Sequence, residues 1–150
     1  VLGQPIKDIG SIFFPIAPNQ PLSAISVKEI GRAVANVLKA PRKYAGRTLT
    51  FGGIKTTMAK TAAIYSHVLG KTIKYTQVPP EAAKNSMVEA GWPEWQVDGV
   101  LELMALVNEG DDSGLIPDFT NHTNEVLGRE CESEVNFMSD FKSMFISTDD

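Results

Sequence analysis

Residues 26–40 read Ser-Val-Lys-Glu-Ile-Gly-Arg-Ala-Val-Ala-Asn-Val-Leu-Lys-Ala. The opening Ser26-Val27-Lys28-Glu29 has the form of a capping box. In that motif the serine oxygen accepts from the amide three residues later, and the glutamate reaches back to the serine amide. The run stops at Pro41, and its apolar residues recur at helical spacing: Ile30, Ala33, Val34, Val37 and Leu38. The pattern predicts an amphipathic helix with one buried face.

On both sides of this helix, short strands alternate with further helices. Residues 1–25 are expected to be loop with a short strand at residues 12–14. Residues 47–51 and 72–78 have the alternation of strands, and the polar residues 111–117 are expected to form a loop. Capping and apolar periodicity predict four more helices, over about 57–70, 80–91, 93–110 and 133–145.

This order of elements predicts an α/β fold with a small sheet and several helices. The predicted strands are too few and too short to cover all the apolar helix faces. We therefore expect a partner surface that lies outside residues 1–150.

The composition is that of one soluble globular domain. The chain has 150 residues, of which 43% are hydrophobic and 21% are charged. A formal net charge of −4 disfavours nucleic acid and anionic membranes as partners. The single cysteine, Cys131, cannot form an intramolecular disulfide, and no leader or membrane-spanning run is recognised. We therefore expect a cytoplasmic protein.

Motifs that would carry catalysis or hold a nucleotide are missing. Gly52-Gly53 lies between a predicted strand and a predicted helix, but the third glycine of a dinucleotide-binding turn is absent, which favours a flexible turn. None of Tyr44, Tyr65 and Tyr75 is followed by lysine four residues later, the spacing that activates a reductase tyrosine. We predict no catalytic residue and no metal site.

Two aromatic clusters suit either the core or a pocket. Gly91-Trp92-Pro93-Glu94-Trp95 places two tryptophans close together, and Phe13-Phe14-Pro15 does the same with two phenylalanines. Large flat rings fill cores and also wall pockets for flat ligands. Strand alternation indicates that only one of the two phenylalanines faces inward.

Several runs, in this order and spacing, resemble the NmrA-like branch of the atypical short-chain dehydrogenases/reductases over residues 10–145. The sequence departs from that family's pattern at Glu29, where aspartate is usual, and at Glu130-Cys131, where a proline-containing turn is usual. The runs that carry the resemblance are Gly10-Ser11-Ile12-Phe13-Phe14-Pro15, residues 25–31, 41–47 and 69–75, Gly91-Trp92-Pro93-Glu94-Trp95, and residues 123–129 with Phe137, Phe141 and Phe145.

The resemblance implies that residues 1–150 are the C-terminal, substrate-side lobe of a Rossmann-type protein. The half that binds NADP(H) or NAD(H) would precede Val1, so this chain alone is expected to hold no cofactor and to be inactive. The implied function is that of an NAD(P)H-dependent reductase for a quinone-, azo- or phenolic-type acceptor. The expected acceptor-lining residues are Phe14, Pro15, Ile16, Trp92, Trp95 and Met104.

Two other functions stay open. The first is a non-catalytic regulator that senses the nicotinamide redox state and binds protein partners. The second is an independent small α/β interaction domain, which would have to fold without a large exposed apolar face.

Overall fold

The computed structural model describes residues 3–110 and 120–146. The residues 111–117 that were expected to form a loop lie outside these ranges. Within them, the helices and strands run in this order: α1 Gly3–Ile9, β1 Ser11–Phe14, β2 Leu22–Ala24, α2 Val27–Lys39, α3 Pro41–Tyr44, β3 Ile54–Thr56, α4 Met58–Leu69, β4 Lys74–Gln77, α5 Pro80–Glu89, α6 Glu94–Glu109, α7 Thr120–Leu127, α8 Glu134–Asp140 and a 3-10 turn Lys142–Phe145.

The four strands pair as two separate two-stranded sheets. β1 and β4 are parallel, with Ser11 opposite Lys74 and Phe14 opposite Gln77. β2 and β3 form an antiparallel ribbon, with Leu22 opposite Thr56. The predicted class, α/β with little sheet and many helices, is confirmed.

The predicted helix starts are confirmed by their capping hydrogen bonds. The hydroxyls of Ser26, Thr57 and Ser133 accept from the amide three residues later, which begins α2, α4 and α8. Gly70 ends α4 with a φ of +69°, in the left-handed region that glycine adopts without strain. The second half of the predicted capping box does not form, because the Glu29 carboxylate binds Arg32 and Arg129 instead.

The main core lies between the β1–β4 pair and helices α1, α4, α5 and α6. Ile12 of β1 and Val97 of α6 are 1% and 0% exposed. The apolar periodicity from which α4 and α6 were predicted is confirmed, since Met58, Ala62 and Met104 are buried in the same core.

The face predicted to be buried on α2 is covered only in part. Ala33 is fully buried and belongs to a second, smaller cluster with Tyr44 and Val126. Val34 and Leu38, from the same predicted stripe, are 43% and 73% exposed. The described part of the chain therefore leaves one side of this apolar stripe uncovered.

The prediction of loop and one strand for residues 1–25 was wrong in two places. Residues 3–9 form α1, a short helix whose Ile6 is 0% exposed. Gly10 follows it in the left-handed region with a φ of +60°, and the contact of α1 with β1 stabilises the helix. Residues 22–24 form β2, which is too short to show a pattern and exists through its pairing with β3.

The strand predicted at residues 47–51 was also wrong. No pairing partner reaches these residues in the described chain, and β3 begins later, at Ile54. Leu49 and Phe51 are still half-buried while Thr48 and Thr50 are exposed, so the alternation that suggested a strand survives without the pairing. The helix α7 was not predicted either.

Across residues 3–110 and 120–146, no helix has both the length and the apolar character needed to cross a membrane.

Candidate functional site

A groove of about 240 Å³ opens between α1, β1 and α5, and we call it the β1 groove. Its walls are mostly apolar, and two serine hydroxyls interrupt them. Its lining includes Phe13, Phe14, Val78, Ala82, Ser86 and Met87.

The β1 groove owes its aromatic wall to strand alternation. Ile12 points into the core with 1% of its surface exposed, whereas Phe13 is 38% exposed. Phe14 is half-buried and packs against the core cluster while it also lines the groove. The prediction that one phenylalanine would face inward is confirmed, and the other presents a ring at the surface.

The loop that follows β1 is fixed by two polar side chains from distant elements. The Tyr75 hydroxyl lies 2.9 Å from the carbonyl of Phe14 and 2.5 Å from that of Ile16, so it donates to this turn. Asn108 donates to the Pro15 carbonyl at 2.9 Å and accepts from the Ala17 amide at 2.8 Å. Burial raises the pKa of Tyr75, which keeps its hydroxyl protonated as a donor.

The predicted lining residues Phe14, Pro15 and Ile16 occupy this loop, but they do not share one environment. Phe14 reaches the β1 groove. Pro15 is buried, and Ile16 is 6% exposed inside the main core. Contact of Pro15 and Ile16 with an acceptor stays a prediction.

The other three predicted lining residues are divided between core and surface. Met104 is 6% exposed and belongs to the same core cluster as Ile16, and the half-buried Trp92 packs against that cluster. Trp95 is 77% exposed at the start of α6. The two tryptophans therefore occupy different environments, and their contact with an acceptor stays a prediction.

Sequence reasoning missed Tyr75, Asn108 and the wall contributed by α5. Ala83 and Met87 are four residues apart and both buried, so helical spacing would have placed them on the inner face of α5. Nothing in the sequence connects Asn108 with Pro15, 93 positions away.

The titratable group with the largest shift lies away from the β1 groove and is structural. Glu29 is 0% exposed, and it accepts from Arg129, Arg32 and the Glu132 amide. The hydrogen bond from Arg129 outweighs burial and lowers the pKa of Glu29 from 4.5 to about 2. A carboxylate engaged on this many sides is poorly placed to serve as a base.

Two further groups with possible chemistry, His67 and Cys131, lie outside the β1 groove. His67 is exposed. Burial, followed by the charge of Glu29, raises the pKa of Cys131. The described residues contain no group of three or more His, Cys, Asp or Glu side chains arranged to hold a metal.

Gly52-Gly53 does not fit a nucleotide phosphate. The Gly52 amide donates to the Thr123 hydroxyl and the Gly53 amide to the Ser23 hydroxyl, each at 3.1 Å. A side chain on Gly53 would place its Cβ 1.7 Å from the Ala24 carbonyl oxygen. The pair is therefore a buried close approach to β2 rather than a flexible turn, and its amides are already satisfied.

Solved structures with the same fold include two enzymes and one regulator. An NADPH-dependent quinone oxidoreductase from Escherichia coli shares 15% identity at a TM-score of 0.74, over 93% of this chain and 49% of that one. Citrobacter sp. triphenylmethane reductase complexed with NADP(H) shares 21% identity at 0.71, over 88% and 45%. NmrA, a negative transcriptional regulator, in complex with NADP, shares 14% identity at 0.61, over 87% and 42%.

At these identities the likeness establishes the fold alone, and the chain spans about half the length of the structures it matches. The family model described as the NmrA-like family matches residues 3–128, most of the chain. The expected resemblance is confirmed over that range. The chain therefore belongs to the NmrA-like family.

Proposed function

We propose that this chain is the substrate-side lobe of an NAD(P)(H)-dependent reductase-like protein and that the β1 groove holds a flat quinone-, azo- or phenolic-type acceptor. The observation that carries the proposal is the surface ring of Phe13 beside Phe14 at the mouth of an apolar groove. Stacking against such rings is worth about 0.5–1.5 kcal/mol beyond simple burial.

The position of the rings supports a binding role because the loop beneath them is held in place. Tyr75 and Asn108 fix the backbone immediately after Phe14. A site prepared in this way loses little conformational entropy when its ligand binds. The groove has the size for a one- or two-ring acceptor, and the Ser86 hydroxyl lies in its lining, while the Ser11 hydroxyl donates to the Ile9 carbonyl at 3.4 Å.

The task of this chain would be to orient the acceptor and to exclude water. Among the described residues, the lining of the β1 groove includes no acid, base or histidine. NAD(P)H would supply a hydride when it is bound by the other half of the protein. No proton transfer is assigned to the groove residues.

The nucleotide-binding half is proposed as the partner of a second apolar surface, the α2 groove. This groove of about 250 Å³ lies between α2 and residues 47–51 and includes Val34, Leu38, Leu49 and Phe51. Residues 49–51 alternate like a strand but have no pairing partner in the described chain. A sheet placed alongside them would cover both features.

One observation favours the second function, a redox-sensing regulator that binds another protein. The β1 groove has no group that titrates near neutral pH. A cleft without titratable groups can bind a flat molecule whether the protein reduces that molecule or only senses it. The two functions differ in whether an acceptor bound in the groove is reduced and in whether the protein binds a protein partner.

The acceptor proposal is tested with menadione, a two-ring quinone, and the Ala82→Phe variant. Ala82 is an exposed residue that lines the β1 groove, so a larger side chain should block the groove without entering the core. We expect menadione affinity, measured by calorimetry, to fall by about tenfold or more. Ala63→Phe makes the same change at an exposed position of α4 that lies outside the groove, and it should leave affinity unchanged. Equal menadione binding by the wild type and Ala82→Phe would refute the proposal.

Turnover separates the two functions in the full-length protein. NADPH oxidation that depends on menadione and is lost in Ala82→Phe indicates the reductase. Menadione binding without NADPH oxidation indicates the regulator.

A further inference from the structure

A second cavity, of about 210 Å³, lies between the β2–β3 ribbon, α4 and α8, and we call it the ribbon cavity. It shares no lining residue with the β1 groove. Most of its wall is apolar, with two glutamates and two aromatic rings. Its lining includes Met58, Tyr65, Glu132, Glu134 and Phe137.

Glu134 places a carboxylate in this apolar wall without a basic partner. Thr56 and Thr61 donate their hydroxyl protons to its two oxygens, at 2.8 and 2.5 Å. In the described chain no Lys, Arg or His nitrogen lies within 4.0 Å of Glu134. The two hydroxyls orient the charge but do not neutralise it. Such a charge in a partly desolvated site attracts a cation.

Glu132 adds a second negative charge at the same cavity. It accepts a hydrogen bond of 3.4 Å from the Ser26 hydroxyl. Arg129, a cation that interacts electrostatically with Glu132, is already hydrogen-bonded to both oxygens of Glu29. The charge of Glu132 is therefore only partly compensated.

The aromatic walls suit a cation as well as a hydrocarbon. Tyr65 packs against Phe145 with ring centroids 5.6 Å apart, which holds its ring in place. Burial, and then the charge of Glu134, raises the pKa of Tyr65, so the phenol stays neutral and its ring keeps its ordinary electron-rich face. Phe137 of α8 supplies another ring.

We propose that the ribbon cavity binds a small organic cation, an alkylammonium ion whose charge lies against Glu134 and whose hydrocarbon groups contact Met58, Tyr65 and Phe137. A hard divalent metal fits less well, because most of the lining offers carbon rather than oxygen. A neutral flat molecule fits less well too, because it would leave the Glu134 carboxylate desolvated without compensation.

The test compares choline with its neutral isostere 3,3-dimethylbutan-1-ol on the purified full-length protein. The two molecules have the same shape and differ in the charge of the head group. By calorimetry or NMR titration we expect choline to bind about tenfold more tightly or better. Glu134→Gln should abolish this preference by lowering choline affinity and leaving that of the alcohol unchanged.

The matched control removes the same charge elsewhere. Glu102→Gln lies on the exposed side of α6 and outside the ribbon cavity, and it should leave the choline preference intact. Ala82→Phe, which blocks the β1 groove, should also leave it intact, so the ribbon cavity is tested independently of the proposed function.

A second variant covers the case in which Glu134→Gln fails to fold. Glu132→Gln leaves the hydrogen bonds of Thr56 and Thr61 to Glu134 in place and should lower choline affinity severalfold. The proposal is overturned if choline shows no saturable binding at about 10 mM. It is also overturned if the alcohol binds equally well, or if the folded cavity variants keep the wild-type preference.

Discussion

Glu29 and Arg129 are joined by two hydrogen bonds of 2.7 and 2.9 Å, although they lie 100 positions apart in the sequence. The contact ties the first turn of α2 to the segment that follows α7. Glu29 is fully buried, while the Arg129 side chain is 46% exposed. The Glu29 carboxylate has lost its contact with water, so its charge depends on the hydrogen bonds from Arg129 for stabilisation.

Arg129→Ala should destabilise the fold. The variant would leave Glu29 buried without its bidentate partner, with Arg32 and the Glu132 amide still in place, and removing one partner of a buried charge typically costs about 3–5 kcal/mol. Because Arg32 remains at 2.6 Å, we expect about 3 kcal/mol, measured by urea unfolding. Arg42→Ala removes an exposed arginine that has no ion pair in the described chain and should cost little. Equal losses in the two variants would contradict a structural role for the pair.

Stability should fall on acidification in a window set by Glu29. Its pKa is lowered from 4.5 to about 2 in the folded chain, chiefly by the hydrogen bond from Arg129. The unfolded chain therefore binds the proton more readily, so the stabilisation is complete above about pH 4.5 and is lost as the pH falls towards 2. Urea midpoints measured between neutral pH and pH 2 should fall more steeply in the wild type than in Glu29→Gln. Parallel profiles would disprove the assignment to Glu29.

The local parts of this fold are readable from the sequence because their causes are local. Ser26 and Thr57 mark the starts of α2 and α4, because their hydroxyls accept a hydrogen bond from the backbone amide three residues later. Val97 and Met104 are seven residues apart on α6, and this helical spacing predicts that both are buried on the same face. These signals need only the neighbouring residues.

The parts that escaped prediction depend on distant partners. β2 exists because β3 lies beside it, and neither segment shows a pattern over three residues. The reverse holds for residues 47–51, which have a strand pattern but no pairing partner in the described chain. The loop of the candidate site is fixed by Asn108, and no spacing rule connects that residue with Pro15. Sequence identified Phe14 but not the groove that it lines.

Leu38→Lys should lower the apolar surface of the isolated chain without lowering its stability. Leu38 is 73% exposed in the α2 groove, so its removal loses few contacts. We expect weaker binding of an apolar dye such as ANS and less self-association, with an unchanged melting temperature. Ala35→Lys adds the same charge at an exposed position of α2 outside this groove and should leave dye binding unchanged. A loss of stability in Leu38→Lys would indicate that the residue belongs to the core.

Trp92→Ala and Trp95→Ala should differ sharply in stability. Trp92 packs against the main core, whereas Trp95 is 77% exposed. Full burial of such a ring makes its truncation cost about 3–5 kcal/mol, so we expect about 2–3 kcal/mol for the half-buried Trp92. We expect less than about 0.5 kcal/mol for Trp95. Menadione titration of Trp95→Ala then tests its predicted role, since weaker binding at equal stability would place its ring at the acceptor.

Gly53→Ala should disrupt the β2–β3 ribbon. A Cβ at this position would lie 1.7 Å from the Ala24 carbonyl oxygen and 2.6 Å from its carbon, and backbone atoms cannot move aside as a flexible side chain can. We expect a loss of about 3 kcal/mol in urea unfolding, together with deformation of the adjoining ribbon cavity. Gly99→Ala is the matched control: nothing lies within 4 Å of its new methyl group on the exposed side of α6. There alanine should add about 0.5–1 kcal/mol, because it restricts the unfolded chain and favours the helix. A Gly53→Ala protein that unfolds at the wild-type midpoint would show that β2 and residue 53 do not pack as closely as this structure places them.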